Sequence, residues 1–585
     1  MFTTRPELLG TFGVTASTHW LASATAMAVL EEGGNAFDAA VAAGFALQVV
    51  EPHLNGPGGD MPALIWSAAE QQLRVVCGQG PAPAAATIDA FRGLGLNIVP
   101  GTGLLATCVP GAVDGWLLIA RDYGTMELSR LLQPAIEFAG GGYPLVGHAV
   151  ATIASVEALF RDEWPTSAAV YLPGGRLPEA GKLFRNSALA RTWMRLVEEA
   201  EAAGGSREDR IEAARHIFQQ GFIAQAIADF AAGNEVMDSS GRRHRGLLAG
   251  DDMANWRASY EEPLTYDYGR YRVAKAGPWS QAPVFLQQLA LLKGVDLEGM
   301  DPLGADFAHV VTECAKLAFA DREAFYGDPA HVDVPMERLL SDEYNDARRK
   351  LVGAEASREL RPGVMDGFAS TVRVGERRGP TVGAGEPTMA LAGGDTCHLD
   401  VIDRWGNMVS ATPSGGWLQS SPVIPALGFC LGSRMQMFWL EEGLPGSLAP
   451  GKRPRTTLSP SFAFRDGEPW MAFGTPGGDG QDQWSLIFFL RHVHHGMNLQ
   501  AAIDAPTFQS HHFPSSFYPR QADPGRLAVE ERLPGDTVAE LARRGHDVEV
   551  IGPWSIGRIS ACAREDGLLR AAANPRLMQG YAAGR

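Results

Sequence analysis

The stretch Leu391–Gly416, LAGGDTCHLDVIDRWGNMVSATPSGG, decides how the rest of the chain is read. CHLDVID alternates in polarity, DRWGN supplies Gly406 and Asn407 where a positive φ is cheap, and NMVSATP runs back. The pattern predicts an antiparallel hairpin. With the turn centred on Trp405, Thr396 stands opposite Ser414, and such cross-strand partners have Cβ atoms about 4.5–5.5 Å apart. A slip of one residue would undo the pairing. A threonine hydroxyl is a poor nucleophile without a base, and the residue's own α-amino group serves as one if the chain is cut just before it. Gly393 and Gly394 would let the backbone bend so that Thr396 Oγ meets the Asp395 carbonyl. On these residues alone, a glycine-rich loop ahead of an ordinary strand is the competing reading.

Upstream of this hairpin, residues 351–394 lose periodicity and fill with Gly, Arg, Glu and Pro, the composition of an exposed, mobile tether. Near the N-terminus, Ser17 and Thr18 are candidate caps for a helix in HWLASATAMAVLEE, and AFDAAVAAGFALQVV predicts a second helix apolar all round. NGPGGDMP reads as a tight turn before ALIWSA, with LRVVCG as its hairpin partner. From about 115 to 350 the period is helical, and strands reappear near YRVAKAG. Past the hairpin, PSFAFRDG and EPWMAFGTP are strand-like, with helices in QWSLIFFLRHVHHG and TVAELARRG. Hairpins at both ends with helices between favour an α+β fold of antiparallel sheets covered by helices.

Composition narrows the class of ligand. The 585 residues carry a formal charge of −17, which argues against nucleic acid or an anionic membrane as partner and favours small molecules. The N-terminus lacks a basic and then apolar leader, so a cytoplasmic location is expected. Six scattered cysteines without CxxC spacing predict neither a disulfide framework nor a zinc knuckle. His492, His494 and His495 sit at a helix end and His511 and His512 form a pair, but no carboxylates accompany them at ligand spacing, so no metal is expected. GTPGGDG between a strand and a helix invites a phosphate-loop reading, yet it has neither a GK[ST] ending nor GxGxxG spacing.

The ordered series GGNAFDAAVAA, VVEPHLNGPGGDM, VPGAVDGW, LLQPAIEFAGGGYPL, DTCHLDVIDRWGNMVS, KRPRTTLSP, GTPGGDG and AANPR resembles the γ-glutamyltransferase (glutathione hydrolase) family of N-terminal-nucleophile hydrolases along the full chain. The resemblance implies a four-layer αββα sandwich. It also implies a precursor cut between Asp395 and Thr396 into a large subunit, 1–395, and a small subunit, 396–585, that stay interleaved and need no cofactor. Thr396 would be the nucleophile for self-cleavage and turnover, with its freed amine as base. Ser414 would orient that amine, and Gly477 and Gly478 would supply oxyanion-hole N–H groups. Cys397, an alternative nucleophile, falls where the family has a small residue, and His398 matches a supporting histidine. Trp417 and Trp439 flank the site segments as candidate walls of an acyl pocket.

The departures from the family share a direction. Gln79 stands where an arginine is expected, Gly416 where an asparagine is, Arg434 where Gln or Glu is, and Met437 where an ammonium-binding aspartate is; Thr456 and Thr457 replace paired serines. A buried ammonium without its carboxylate is costly, and Arg434 would repel it. The sequence therefore predicts an amidase or acylase of a small amide, poor toward γ-glutamyl donors, with Gln79, Arg434, Thr456, Thr457 and Trp417 at the substrate and Arg434 meeting an acyl carboxylate. The short LEEGLPGSLAPGKRP segment predicts an open cleft. Three alternatives stand beside this reading: a genuine γ-glutamyltransferase with a rebuilt clamp, a biosynthetic homologue that cleaves a carbon–carbon bond, and an uncut relative that only binds a ligand.

Overall fold

A computed structural model describes residues 2–376 and 396–585. Two seven-stranded sheets form its centre. In one, the order is Tyr581–Gly584, Gly13–Ser17, Leu399–Asp403, Met408–Ala411, Met61–Ser67, Gln72–Gly78, Ser259–Glu261. In the other it is Leu8–Gly10, Leu568–Ala573, Ser560–Glu565, Glu468–Gly474, Ser461–Arg465, Tyr271–Lys275, Leu264–Tyr268. Every neighbouring pair in both sheets is antiparallel. Both sheets mix strands from either side of residue 395, so the two halves of the chain are interleaved.

The two-residue period of a strand makes the layers visible in the packing. Ala63 and Ile65 point into a core shared with the helices Trp20–Glu31 and Ala36–Val50, while their neighbours Leu64 and Trp66 point into the layer between the sheets. Ala472 and Cys562 enter that middle layer from the other sheet. Met471, Phe473, Ala561 and Ala563 face the opposite way, onto the helices Pro283–Leu292, Ala305–Phe325 and Gln481–His495. Three apolar interfaces between four layers result, the helix–sheet–sheet–helix sandwich that the sequence leads one to expect. All fifteen residues of Ala36–Val50 are buried, which accounts for its unbroken apolar character.

Several local expectations give way. The first helix is capped by His19, whose side chain accepts from Leu21 N–H; Ser17 belongs to a strand and Thr18 Oγ1 is drawn to Glu51 at 2.6 Å. NGPGGD is no simple turn: Asn55, Gly58 and Asp60 form bridges to Gly415, Leu431 and Ser414, making a strap beneath the loop that follows the hairpin. The first part of the expected tether is docked on the fold: Met365 is 3% exposed, Gly363 N–H donates to Asp321, and Ser357 N–H and Arg361 reach Glu313. Polar composition concealed this packing, which is carried by irregular backbone docked on buried charges. Residues 377–395, with Gly393, Gly394 and Asp395, lie outside the described residues. Among the described residues no helix is long and apolar enough to cross a membrane.

Candidate active site

The hairpin pairs Leu399 with Ala411 and Asp400 with Ser410, the register that a turn about Trp405 requires, and an isolated bridge extends it to Thr396 and Ser414. Their hydroxyl oxygens are 3.2 Å apart. Both residues are buried, Thr396 at 1% exposure. The hairpin is central in its sheet, between Gly13–Ser17 and Met61–Ser67, so its open end is rigidly held.

Ser414 is fixed from below by the strap. Asp60 N–H donates to Ser414 O at 2.8 Å and Ser414 N–H returns the bond to Asp60 O at 2.9 Å. So close an approach needs glycine beside it, since a Cβ on Gly59 would lie 2.0 Å from Ser414 O. The Asp60 carboxylate takes Arg434 Nη2 at 2.9 Å and Thr456 Oγ1 at 3.4 Å. Burial pushes the Asp60 carboxyl up in pKa, an effect that Arg434 opposes. The Arg434 guanidinium also lies over the Trp417 ring, 5.4 Å from its centroid, and Trp417 packs with Met437 and Phe517. Arg434 thus enters the site as half of a buried ion pair with Asp60, a partner the sequence reading did not name. The sequence reading missed Asp60, because NGPGGDM has the composition of a simple turn.

Thr457 Oγ1, Trp417 Nε1 and Gln79 Oε1 are buried without a hydrogen-bond partner among the described residues, while Gln79 Nε2 donates to the Gly80 carbonyl. Such atoms are costly to leave unsatisfied and mark places a polar ligand can occupy. Trp439 is otherwise engaged, with the Arg520 guanidinium 3.8 Å over its ring. Among the described residues, the short 440–454 segment from which an open cleft is expected leaves Thr396 and Ser414 buried. Lys452 Nζ closes that segment on itself through the carbonyls of Pro445 at 2.7 Å and Ser447 at 3.0 Å.

Gly477 and Gly478 adopt φ of +128° and +51°, and a Cβ on Gly477 would strike Trp484 at 2.0 Å. Neither N–H donates to an acceptor among the described residues. Their loop follows the strand ending at Gly474, whose Cα packs on the His398 imidazole, two residues from Thr396. Gln281 Nε2 donates to Gly478 O at 3.2 Å, and Asp479 is held by Arg322, Ser516 N–H and Ser516 Oγ. Burial alone would raise the Asp479 pKa, but Arg322 and Ser516 outweigh it and keep the carboxyl low.

Cys397 and His398 flank the nucleophile candidate in supporting positions. The Cys397 thiol donates to Glu51 Oε2 at 2.9 Å, and burial beside that carboxylate raises its pKa well above the ordinary range, the opposite of an activated thiolate. His398 bonds Thr412 Oγ1 at 2.8 Å and Asp400 Oδ1 at 3.0 Å. Burial raises the pKa of Glu51, which also accepts from Thr18 and Gln579. Arg558 Nη2 donates to Thr396 O at 3.0 Å. Neither Glu51 nor Arg558 carries a local sequence signal of its role.

Among the described residues, the one His/Cys/Asp/Glu group with metal-ligand proximity is His309, Glu313 and His546. Glu313 is already engaged by Lys316 at 2.6 Å and Arg361 at 3.1 Å, a surrounding that opposes a dication. His492 and His494 make contacts within the fold, to Met497 O and Tyr268 Oη.

Comparison with known proteins agrees along the whole length. The family model described as gamma-glutamyltranspeptidase matches residues 22–584. The glutathione hydrolase-like YwrD proenzyme of Bacillus subtilis is 30% identical, over 97% of this chain and 98% of its own. The solved structure of LmbA2991 is 55% identical and covers all of both chains with a TM-score of 0.95. A cephalosporin acylase from Bacillus halodurans superposes with a TM-score of 0.82 at 29% identity, over 100% of this chain and 98% of the other.

Proposed function

The chain belongs to the gamma-glutamyltranspeptidase family of N-terminal-nucleophile hydrolases, and from that premise we propose an amidase or acylase matured by self-cleavage before Thr396, with little activity toward ordinary γ-glutamyl donors. The observation that carries the reading is the pair of hydroxyls of Thr396 and Ser414, 3.2 Å apart at the mouth of the central hairpin. After cleavage the Thr396 amine takes the proton from Oγ as that oxygen attacks the substrate carbonyl, and Ser414 holds the amine in line. The N–H groups of Gly477 and Gly478 face the charge that develops on the carbonyl oxygen, and a donor of this kind contributes about 3 kcal/mol to the transition state. The protonated amine then delivers its proton to the leaving nitrogen. Water hydrolyses the resulting ester by the reverse sequence.

The altered clamp supports the choice of substrate class. Met437 and Phe517 form an apolar wall with Trp417, and the Asp60–Arg434 pair has no net charge to offer a zwitterionic glutamyl group. The name of the cephalosporin acylase relative agrees with an acyl group other than glutamyl. Intact-mass spectrometry after exposure to a panel of amides and esters tests the proposal: an acyl adduct on the small subunit is expected, and Thr396→Ala should take none. An adduct that survives in Thr396→Ala would refute it.

One observation favours a second reading, a true γ-glutamyltransferase with a rebuilt clamp. Asp60 and Arg434 place an acid and a base beside Ser414, and a substrate able to separate them would present an ammonium to one and a carboxylate to the other. Release of a chromogenic amine from a γ-glutamyl anilide, accelerated by glycylglycine, would select it.

A further inference from the structure

The strand Gly13–Ser17 flanks the nucleophile strand only as far as Leu399, and Thr18 N–H makes one further bond, to His398 O at 3.1 Å. Beyond that point the chain turns into the helix that starts at Trp20. The carbonyl of Thr396 has thus outrun its neighbour on that side of the sheet. Arg558, 2% exposed and two residues before the strand Ser560–Glu565 of the opposite sheet, fills the gap with its bond to Thr396 O. Its position is set by Gly557 at φ +86° on one side and by Ser560 on the other, whose hydroxyl donates to Asp400 at 2.9 Å. Glu51 is the nearby counter-charge and also holds the Cys397 thiol.

We propose that Arg558 is a positioning residue for self-cleavage, clamping the Thr396 carbonyl while the hydroxyl of Thr396 attacks the preceding peptide bond. The inference rests on Thr396 being the nucleophile. Three handles hold that residue and its successor: Arg558 at the carbonyl, Ser414 at the hydroxyl, and the bond from Cys397 N–H to Pro413 O at 3.0 Å. In the step so prepared, Oγ adds to the Asp395 carbonyl carbon and the C–N bond breaks. The Oγ proton passes to the departing nitrogen, which becomes the α-amine, and water hydrolyses the ester to the Asp395 carboxylate. Water is the sole co-reactant, and no oxidant enters.

The test is the rate at which freshly made precursor converts to two subunits, followed on denaturing gels for the full chain, Arg558→Ala and Arg558→Lys. Arg558→Ala should be slowed at least about tenfold, as expected for losing a charge-assisted hydrogen bond. Arg558→Lys should recover part of the rate. Millimolar guanidinium should accelerate Arg558→Ala in a saturable way and leave the unaltered protein unchanged. A purely structural role predicts no rescue by either route, and that result overturns the proposal, as does cleavage of Arg558→Ala at the full rate. If the unaltered precursor itself never cleaves, the assignment of Thr396 has failed and the role of Arg558 with it, an outcome distinct from the other two.

Discussion

Thr396 and Ser414 differ in what their removal should do. Thr396→Ala deletes the attacking oxygen and should leave one uncut chain on a denaturing gel. Ser414→Ala removes an orienting hydrogen bond worth about 1–2 kcal/mol, so activity on whatever amide the panel identifies should fall about 5- to 30-fold with processing retained. Turnover at the full rate in Ser414→Ala would show that the 3.2 Å contact is incidental. The pairing of these two residues was legible in the sequence because a hairpin's register follows from its turn. Asp60, Glu51 and Arg558 were not, because they reach the site from distant segments and no spacing rule connects residues brought together by sheet packing. Arg434 shows the same limit in reverse: its charge was plain, but its partner lies far away in sequence, and the partner decides what the charge does.

The elements around the site make their own demands. Gly477→Ala puts a methyl group where Trp484 stands and places a non-glycine residue at φ +128°, so it should abolish turnover and lower the melting temperature. An active, fully stable Gly477→Ala would place the oxyanion donors elsewhere. The strap makes a different prediction. Arg434→Met leaves Asp60 as an unpaired buried carboxylate, a change that costs about 3–5 kcal/mol, and Asp60→Asn in the same chain should recover much of the loss. Thermal melts of the two single variants and the double variant read this coupling directly; additive losses would mean that the pair is not a unit. The sheets were legible as alternating runs, whereas the strap was not, since NGPGGD has the composition of a turn and only its glycines' contacts with Ser414 and Cys430 reveal a different job.

For the molecule as a whole, buried histidines set the response to acid. Burial lowers the pKa of His512 to about 4 and of His546 to about 3, against an ordinary value near 6.5. The unfolded chain therefore takes up protons that the folded one refuses. Stability should fall as pH drops below about 6.5 and stop falling on this account once the folded values are passed. Melting temperature measured from pH 7 to 4 should decline, and His546→Gln should flatten the decline; an unchanged slope would remove this histidine from the account. The count of four layers came only from the family resemblance, whereas antiparallel sheets covered by helices were foreseeable from hairpins at both ends of the chain. The docking of residues 351–376 was not, because its anchors Glu313 and Asp321 lie inside a helix and meet it only in three dimensions.

The most direct measurement is N-terminal sequencing, with intact mass, of purified active protein. Two chains are predicted, one of which begins Thr-Cys-His-Leu, as expected for a small subunit starting at Thr396. A single intact chain in fully active material, carrying only the N-terminus of the precursor, would contradict the account.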